Sequence, residues 1–172
     1  MAQGKYEREL KNILSGDEEV IEDQTKTCSE EQTEDYHKVK DIPFLVVRGA
    51  GSLGVDLVAV RGDVSFLIEV KSSKKDVLYL SDQKRLTDQA ERIKEICTET
   101  KLLPMYAFRL KGWRGDKWRL FTMDIDGLSK KYRVLNKKLP NVQTTSHDNY
   151  KIPWHDGMPL SEFLSYLDRL LG

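Results

Sequence analysis

Val55-Asp56-Leu57-Val58-Ala59-Val60 and Val64-Ser65-Phe66-Leu67-Ile68-Glu69-Val70-Lys71 are two apolar runs joined by the turn Arg61-Gly62-Asp63. Branched and aromatic side chains bounded by a polar turn predict two strands of a hairpin. Each run carries an acid that an apolar strand tolerates poorly without a partner. Twelve residues separate Asp56 from Glu69, and Lys71 follows one pleat later, giving the pattern D-x12-E-x-K. Side chains alternate along a strand, so Glu69 and Lys71 share a face, away from Phe66, Ile68 and Val70. Pairing of the two strands brings Asp56 toward Glu69. Two neighbouring carboxylates make an oxygen site for a hard cation, with Mg²⁺ the usual choice beside phosphates. A lysine next to them can position a water, help deprotonate it, or stabilise charge in a phosphoryl transition state.

Outward from this pair, Pro43 introduces a short strand, Phe44 to Arg48, and Gly49-Ala50-Gly51-Ser52-Leu53-Gly54 forms a turn. That turn lacks a Gly-Lys-Ser/Thr ending and no helix follows it, which excludes a nucleotide triphosphatase loop. Before it, Tyr6, Leu10, Ile13 and Leu14 recur at helical spacing over 4–14, and Ser15-Gly16-Asp17 ends the helix. Glu7 and Glu9 border its apolar stripe on opposite sides, and helical geometry does not choose between them. Residues 17–40 are acidic and fit either a surface helical hairpin or a mobile insertion. After Lys71, Val77 to Leu80 is a short extended piece. Residues 82–99 are a helix with Leu86, Ala90, Ile93 and Cys97 inward, and 102–110 and 117–123 are strands. Residues 127–159 show no clear period, and 160–171 form an amphipathic helix. The expected fold is α/β, with one central mixed sheet flanked by helices. The expected division is a core over 1–126, interrupted by 17–40, and an extension over 127–172 packed on the same domain.

The chain has 172 residues, 28 basic and 28 acidic, so its formal net charge is zero. At face value this disfavours nucleic acid as a partner. The balance is uneven, however. Asp17 to Asp35 holds nine acids and one base, a net −8, which leaves 27 bases and 19 acids, a net +8, elsewhere. No apolar run approaches the roughly 20 residues of a membrane span, so no membrane association is expected. Cys28 and Cys97 lie far apart, and a cytoplasmic location with reduced thiols is expected. His37, His147 and His155 have no ligand spacing. Trp113, Trp118 and Trp154 are all expected in the core or an interface.

Several segments in order resemble the archaeal Holliday junction resolvases (the Hjc type), of the PD-(D/E)xK, restriction-endonuclease-like superfamily. They are Gly4-Lys5-Tyr6-Glu7-Arg8-Glu9-Leu10, Phe44 to Ser52, Val55-Asp56-Leu57-Val58-Ala59 and Ile68-Glu69-Val70-Lys71-Ser72. Tyr106-Ala107-Phe108-Arg109 and Gly112-Trp113 continue the series. The resemblance spans 4–15 and 42–123. It implies a restriction-endonuclease-like fold and a Mg²⁺-dependent homodimer, with Mn²⁺ able to substitute. That dimer would nick four-way DNA junctions symmetrically and leave 5′-phosphate and 3′-hydroxyl ends. It places the metal carboxylates on Glu7, Asp56 and Glu69, the catalytic lysine on Lys71, and a further catalytic role on Ser52. The acidic stretch 17–40 and the length beyond 127 depart from the usual members.

Basic residues near these positions are the expected DNA contacts: Lys74 and Lys75 directly after the site, then Arg8 and Arg48. Two other readings stand beside junction cleavage: a nuclease of the same scaffold acting on other branched or duplex DNA, and a DNA-binding homologue without catalysis. The acidic stretch is expected to face away from DNA, limit non-specific binding, or cover the basic surface.

Overall fold

A computed structural model describes residues 4–49, 54–80, 84–147 and 149–171. Ser52 lies outside the described residues, as does most of the glycine-rich turn around it.

Helix α1 (Lys5–Leu14) buries Leu10, Ile13 and Leu14 and leaves its polar side outward. Gly4 precedes it at φ 78°. A side chain there would be strained, and its Cβ would stand 2.5 Å from Nη2 of Arg48. The acidic stretch forms α2 (Glu18–Thr25) and α3 (Glu30–His37), followed by one 3₁₀ turn over Lys38–Lys40. Asp17 caps α2 by accepting from the Val20 amide, and Ser29 with Gln32 forms a reciprocal capping box on α3. Of the two forms expected for 17–40, the helical hairpin is present, and it is docked rather than superficial. Ile21, Tyr36 and Val39 are buried in the main core.

Strands β1 (Leu45–Arg48), β2 (Leu57–Val60) and β3 (Ser65–Ser73) form an antiparallel meander. A small strand β4 (Val77–Tyr79) and the long helix α4 (Lys84–Thr100) then cross over to β5 (Leu103–Leu110), which runs parallel to β3. Strand β6 (Trp118–Phe121) returns antiparallel to β5.

Residues 127–159 hold elements that their sequence does not announce. They are α5 (Lys130–Lys138), β7 (Gln143–Thr144), β8 (Tyr150–Pro153) and β9 (Met158–Pro159), before the expected α6 (Leu160–Leu171). Strand β9 extends the main sheet to the order β1-β2-β3-β5-β6-β9, while β4, β8 and β7 make a second small sheet. The mixed α/β sheet flanked by helices is therefore present.

Alternation assigns the two faces of the sheet. Phe66 meets Phe44 at 5.3 Å and Phe163 of α6 at 5.7 Å between ring centroids. The side chains of Glu69 and Lys71, offset by an odd number of residues from Phe66, lie on the opposite face. Gln89 of α4 reaches Lys71 there.

Candidate active site

The β2–β3 register pairs Leu57 with Ile68. Asp56, one step before β2, therefore stands opposite Glu69. The Asp56 backbone is fixed by the Gly49 amide, which donates to its carbonyl at 2.8 Å. The Asp56 side chain accepts from the Val70 amide at 2.8 Å. Thus the strand that carries Glu69 also aims Asp56.

Glu69 is only 2% exposed. Burial, followed by the neighbouring Asp56 charge, pushes its carboxyl up to about 7. Burial also raises Asp56. The Val70 amide opposes that rise, and the Glu7 charge adds to it. The two carboxyls lie within hydrogen-bonding reach of each other, so without a cation the pair favours a shared proton. A buried Glu69 beside a half-buried Asp56, whose charge raises Glu69, is a donor set that fits one divalent cation, since Mg²⁺ commonly takes one or two protein carboxylates and keeps waters.

Lys71 sits on the rim of this pair. Its Nζ is 3.5 Å from Oε2 of Glu69 and donates to Oε1 of Gln89 at 3.3 Å. Gln89 was not anticipated from sequence, and nothing in the charged pattern of α4 marks it. Tyr106 is a second unanticipated neighbour. It stands beside Glu69 in the β3–β5 register, is 1% exposed, and its hydroxyl has no hydrogen-bond partner among the described residues.

The structure separates the two glutamates of α1. Glu9 accepts from Arg109 Nε at 2.7 Å and from Trp118 Nε1 at 3.0 Å, and is a structural anchor for β5 and β6. Glu7 points to the other side, where its Oε2 accepts from Arg48 at 3.1 Å. It lies near enough to raise Asp56 but not in a closed cluster. Among the described residues, no group of three or more His, Cys, Asp or Glu side chains is placed to hold a metal ion. Asp56 and Glu69 are therefore brought together, and Glu7 stands apart on Arg48.

Arg8, Arg48, Lys74 and Lys75 are all exposed. Arg8 and Arg48 converge beside Gly4, and Lys74 and Lys75 lie beyond the far end of β3. Trp118 and Trp154 are fully buried, as expected. Trp113 is 38% exposed: it sits in the β5–β6 turn with Trp154 and His155 against it.

Among the described residues, no helix is long and apolar enough to cross a membrane. No curated protein sequence matches the chain. Among solved structures, it is similar to the 1.6 Å structure of Archaeoglobus fulgidus Hjc, a Holliday junction resolvase from an archaeal hyperthermophile. That similarity is 24% identity over 71% of this chain and 82% of the other, with a TM-score of 0.48. The family model of the archaeal Holliday junction resolvases (Hjc) matches residues 36–169, which leaves α1 and most of the acidic hairpin outside it. That match spans well over half of the 172 residues, and the chain belongs to the archaeal Holliday junction resolvase (Hjc) family.

Proposed function

We propose that this protein is a structure-specific endonuclease that resolves four-way DNA junctions, with Asp56, Glu69 and Lys71 as its reaction centre. The observation that carries the reading is the placement of Asp56 opposite Glu69 with Lys71 3.5 Å from Glu69, inside a chain of the resolvase family.

Asp56 and Glu69 would hold a divalent cation, Mg²⁺ with Mn²⁺ as substitute, which when bound supplies Lewis acidity toward the scissile phosphate. The chain does the rest. The Val70 amide keeps Asp56 turned toward Glu69. Glu69 and Gln89 hold the Lys71 ammonium at the mouth of the pair. From there Lys71 orients the attacking water and offsets charge that builds on the phosphate. Glu7 would join the metal ligands only on leaving Arg48, which would then be open to a DNA phosphate. Ser52 completes the proposed centre on family resemblance. Arg8 and Arg48 at one end, and Lys74 and Lys75 at the other, contact the backbone of the DNA arms.

Symmetric cutting needs two such centres, so the protein acts as a homodimer. An exposed apolar patch supports this. Leu45 pairs with Val60 and Val47 with Val58, which sets all four side chains on one face. Leu45 is 68% exposed, Val47 49% and Val60 40%. Open β-branched and leucine side chains side by side at a sheet edge favour a protein partner. Residues 127–172 are read as an extension of the same domain as 1–126, and the enzyme as cytoplasmic. The test is incubation of a labelled four-way junction with the protein and Mg²⁺. Paired nicks in opposite strands support the assignment, and equal cutting of plain duplex contradicts it.

A further inference from the structure

A second concave feature lies beyond the end of β3. It is an open groove of about 540 Å³ lined by Lys74, Lys75, Tyr79, Lys111, Trp113 and His155, with Asp76 in its wall. Lys74 follows β3 directly, three residues past Lys71 in the chain, so the groove begins just beyond the end of the strand that carries Glu69 and Lys71.

The walls are held together by backbone bonds. The Lys111 amide donates to the Ser73 carbonyl at 2.9 Å, and the Trp154 amide donates to the Asp76 carbonyl at 2.7 Å. The buried Trp154 ring is fixed by its Nε1, which donates to the Lys117 carbonyl at 3.1 Å, and by Arg119 lying 3.8 Å over it. Trp113 rests against this ring at 4.8 Å between centroids and still exposes 38% of its surface into the groove. Tyr79 is 46% exposed. Asp76, the one acid in the wall among the described residues, has its Oδ2 3.3 Å from His155 Nε2.

Three lysines around a supported, open tryptophan combine phosphate contacts with a stacking surface, the pairing that recognises single-stranded nucleic acid. Bases within a continuous duplex hide both faces in the stack. A nucleotide at a branch point or a bulge does not.

We propose that this groove takes one unstacked nucleotide of a branched DNA strand, with its base on Trp113 and its flanking phosphates on Lys74, Lys75 and Lys111. The assignment rests on the reading of the chain as a junction nuclease. It adds a contact that favours branched DNA over intact duplex.

The test measures binding in EDTA, where cutting is absent, to a four-way junction, a duplex with one bulged nucleotide, and the intact duplex. Trp113→Ala is expected to weaken the first two about ten-fold and leave the intact duplex unchanged. Trp113→Phe is expected to keep the preference. A 2-aminopurine at the bulge is expected to be quenched by the wild type and not by Trp113→Ala. An unchanged thermal midpoint confirms that both variants fold. Equal loss on all three DNAs, no loss on any, or quenching that survives Trp113→Ala overturns the proposal. Junction cutting by the wild type with Mg²⁺ is measured in parallel. Normal cutting with a Trp113-independent preference removes the groove alone, while absent cutting with a Trp113-dependent preference removes the nuclease reading alone.

Discussion

The Tyr36 hydroxyl donates to Oδ1 of Asp116 at 2.6 Å, joining the acidic hairpin to the β5–β6 turn across 80 positions of sequence. Asp116 is 1% exposed, and its Oδ2 accepts from the Ser161 amide at 2.9 Å, so one buried carboxylate ties the hairpin, that turn and α6 together. Tyr36→Phe leaves Oδ1 with only the Trp118 amide at 3.4 Å. A loss of about 1–3 kcal/mol in denaturant unfolding is expected. Deleting residues 17–38 strips Ile21 and Tyr36 from the core and is expected to prevent folding, as measured by loss of near-ultraviolet dichroism.

The same placement decides what the hairpin's charge does. Helix α3 packs on α6, whose Phe163 lies on the Phe66 face of the sheet, opposite Glu69. Exposed charges on the far face are screened beyond a Debye length of about 8 Å at physiological salt. Changing the exposed Glu18, Glu19, Glu22, Glu30, Glu31 and Glu34 to glutamine is therefore expected to leave duplex affinity and junction cutting unchanged at that salt. Tighter duplex binding by this variant would show that the hairpin shields the DNA surface.

Glu9 and Glu7 are expected to fail differently. Glu9→Ala removes the acceptor of Arg109 and Trp118, in a pair whose side chains are each 11% exposed. Stability is expected to fall by about 2–3 kcal/mol. Glu7→Gln weakens the partly exposed Arg48 pair, worth at most about 1 kcal/mol, and removes a charge near Asp56. Its expected effect is on cutting, with the melting temperature nearly unchanged. The converse pattern would move the helix glutamate of the site from Glu7 to Glu9.

Glu69 links the site to pH. Its carboxyl is raised from 4.5 to about 7 in the folded protein. Between these values the folded state holds a proton that the unfolded state has released. Stability without metal therefore falls as pH rises from about 4.5 to 7, by at most about 3 kcal/mol. Thermal melts in EDTA are expected to show this fall, Glu69→Gln to flatten it, and added Mg²⁺ to raise the midpoint more at pH 7.5 than at pH 5. A flat EDTA profile in the wild type would contradict the raised Glu69 carboxyl.

The strand pair that builds the site was legible because two signals agreed there. The period-2 pattern and the Arg61-Gly62-Asp63 turn set the register, and register alone put Asp56 across from Glu69. The choice between Glu7 and Glu9 was not legible from the helix. It depends on Arg109 and Trp118, which arrive 100 and 109 positions later. Helix α5 was hidden because its docking is partly polar: Asn136 is buried by donating to Thr122 and to the Met123 carbonyl, and Leu135 is its one buried apolar residue. Strands β7 and β9 are two residues each, too short for any period. Trp113, expected in the core or an interface, lies in the β5–β6 turn beside Trp154 and His155 and is 38% exposed.

The most direct test of the central claim is cutting of a labelled four-way junction by the wild type and Asp56→Asn side by side with Mg²⁺. The account predicts paired symmetric nicks by the wild type, little cutting of the plain duplex, and junction binding without cutting by Asp56→Asn. Full activity of Asp56→Asn, or equal cutting of junction and duplex, would contradict it.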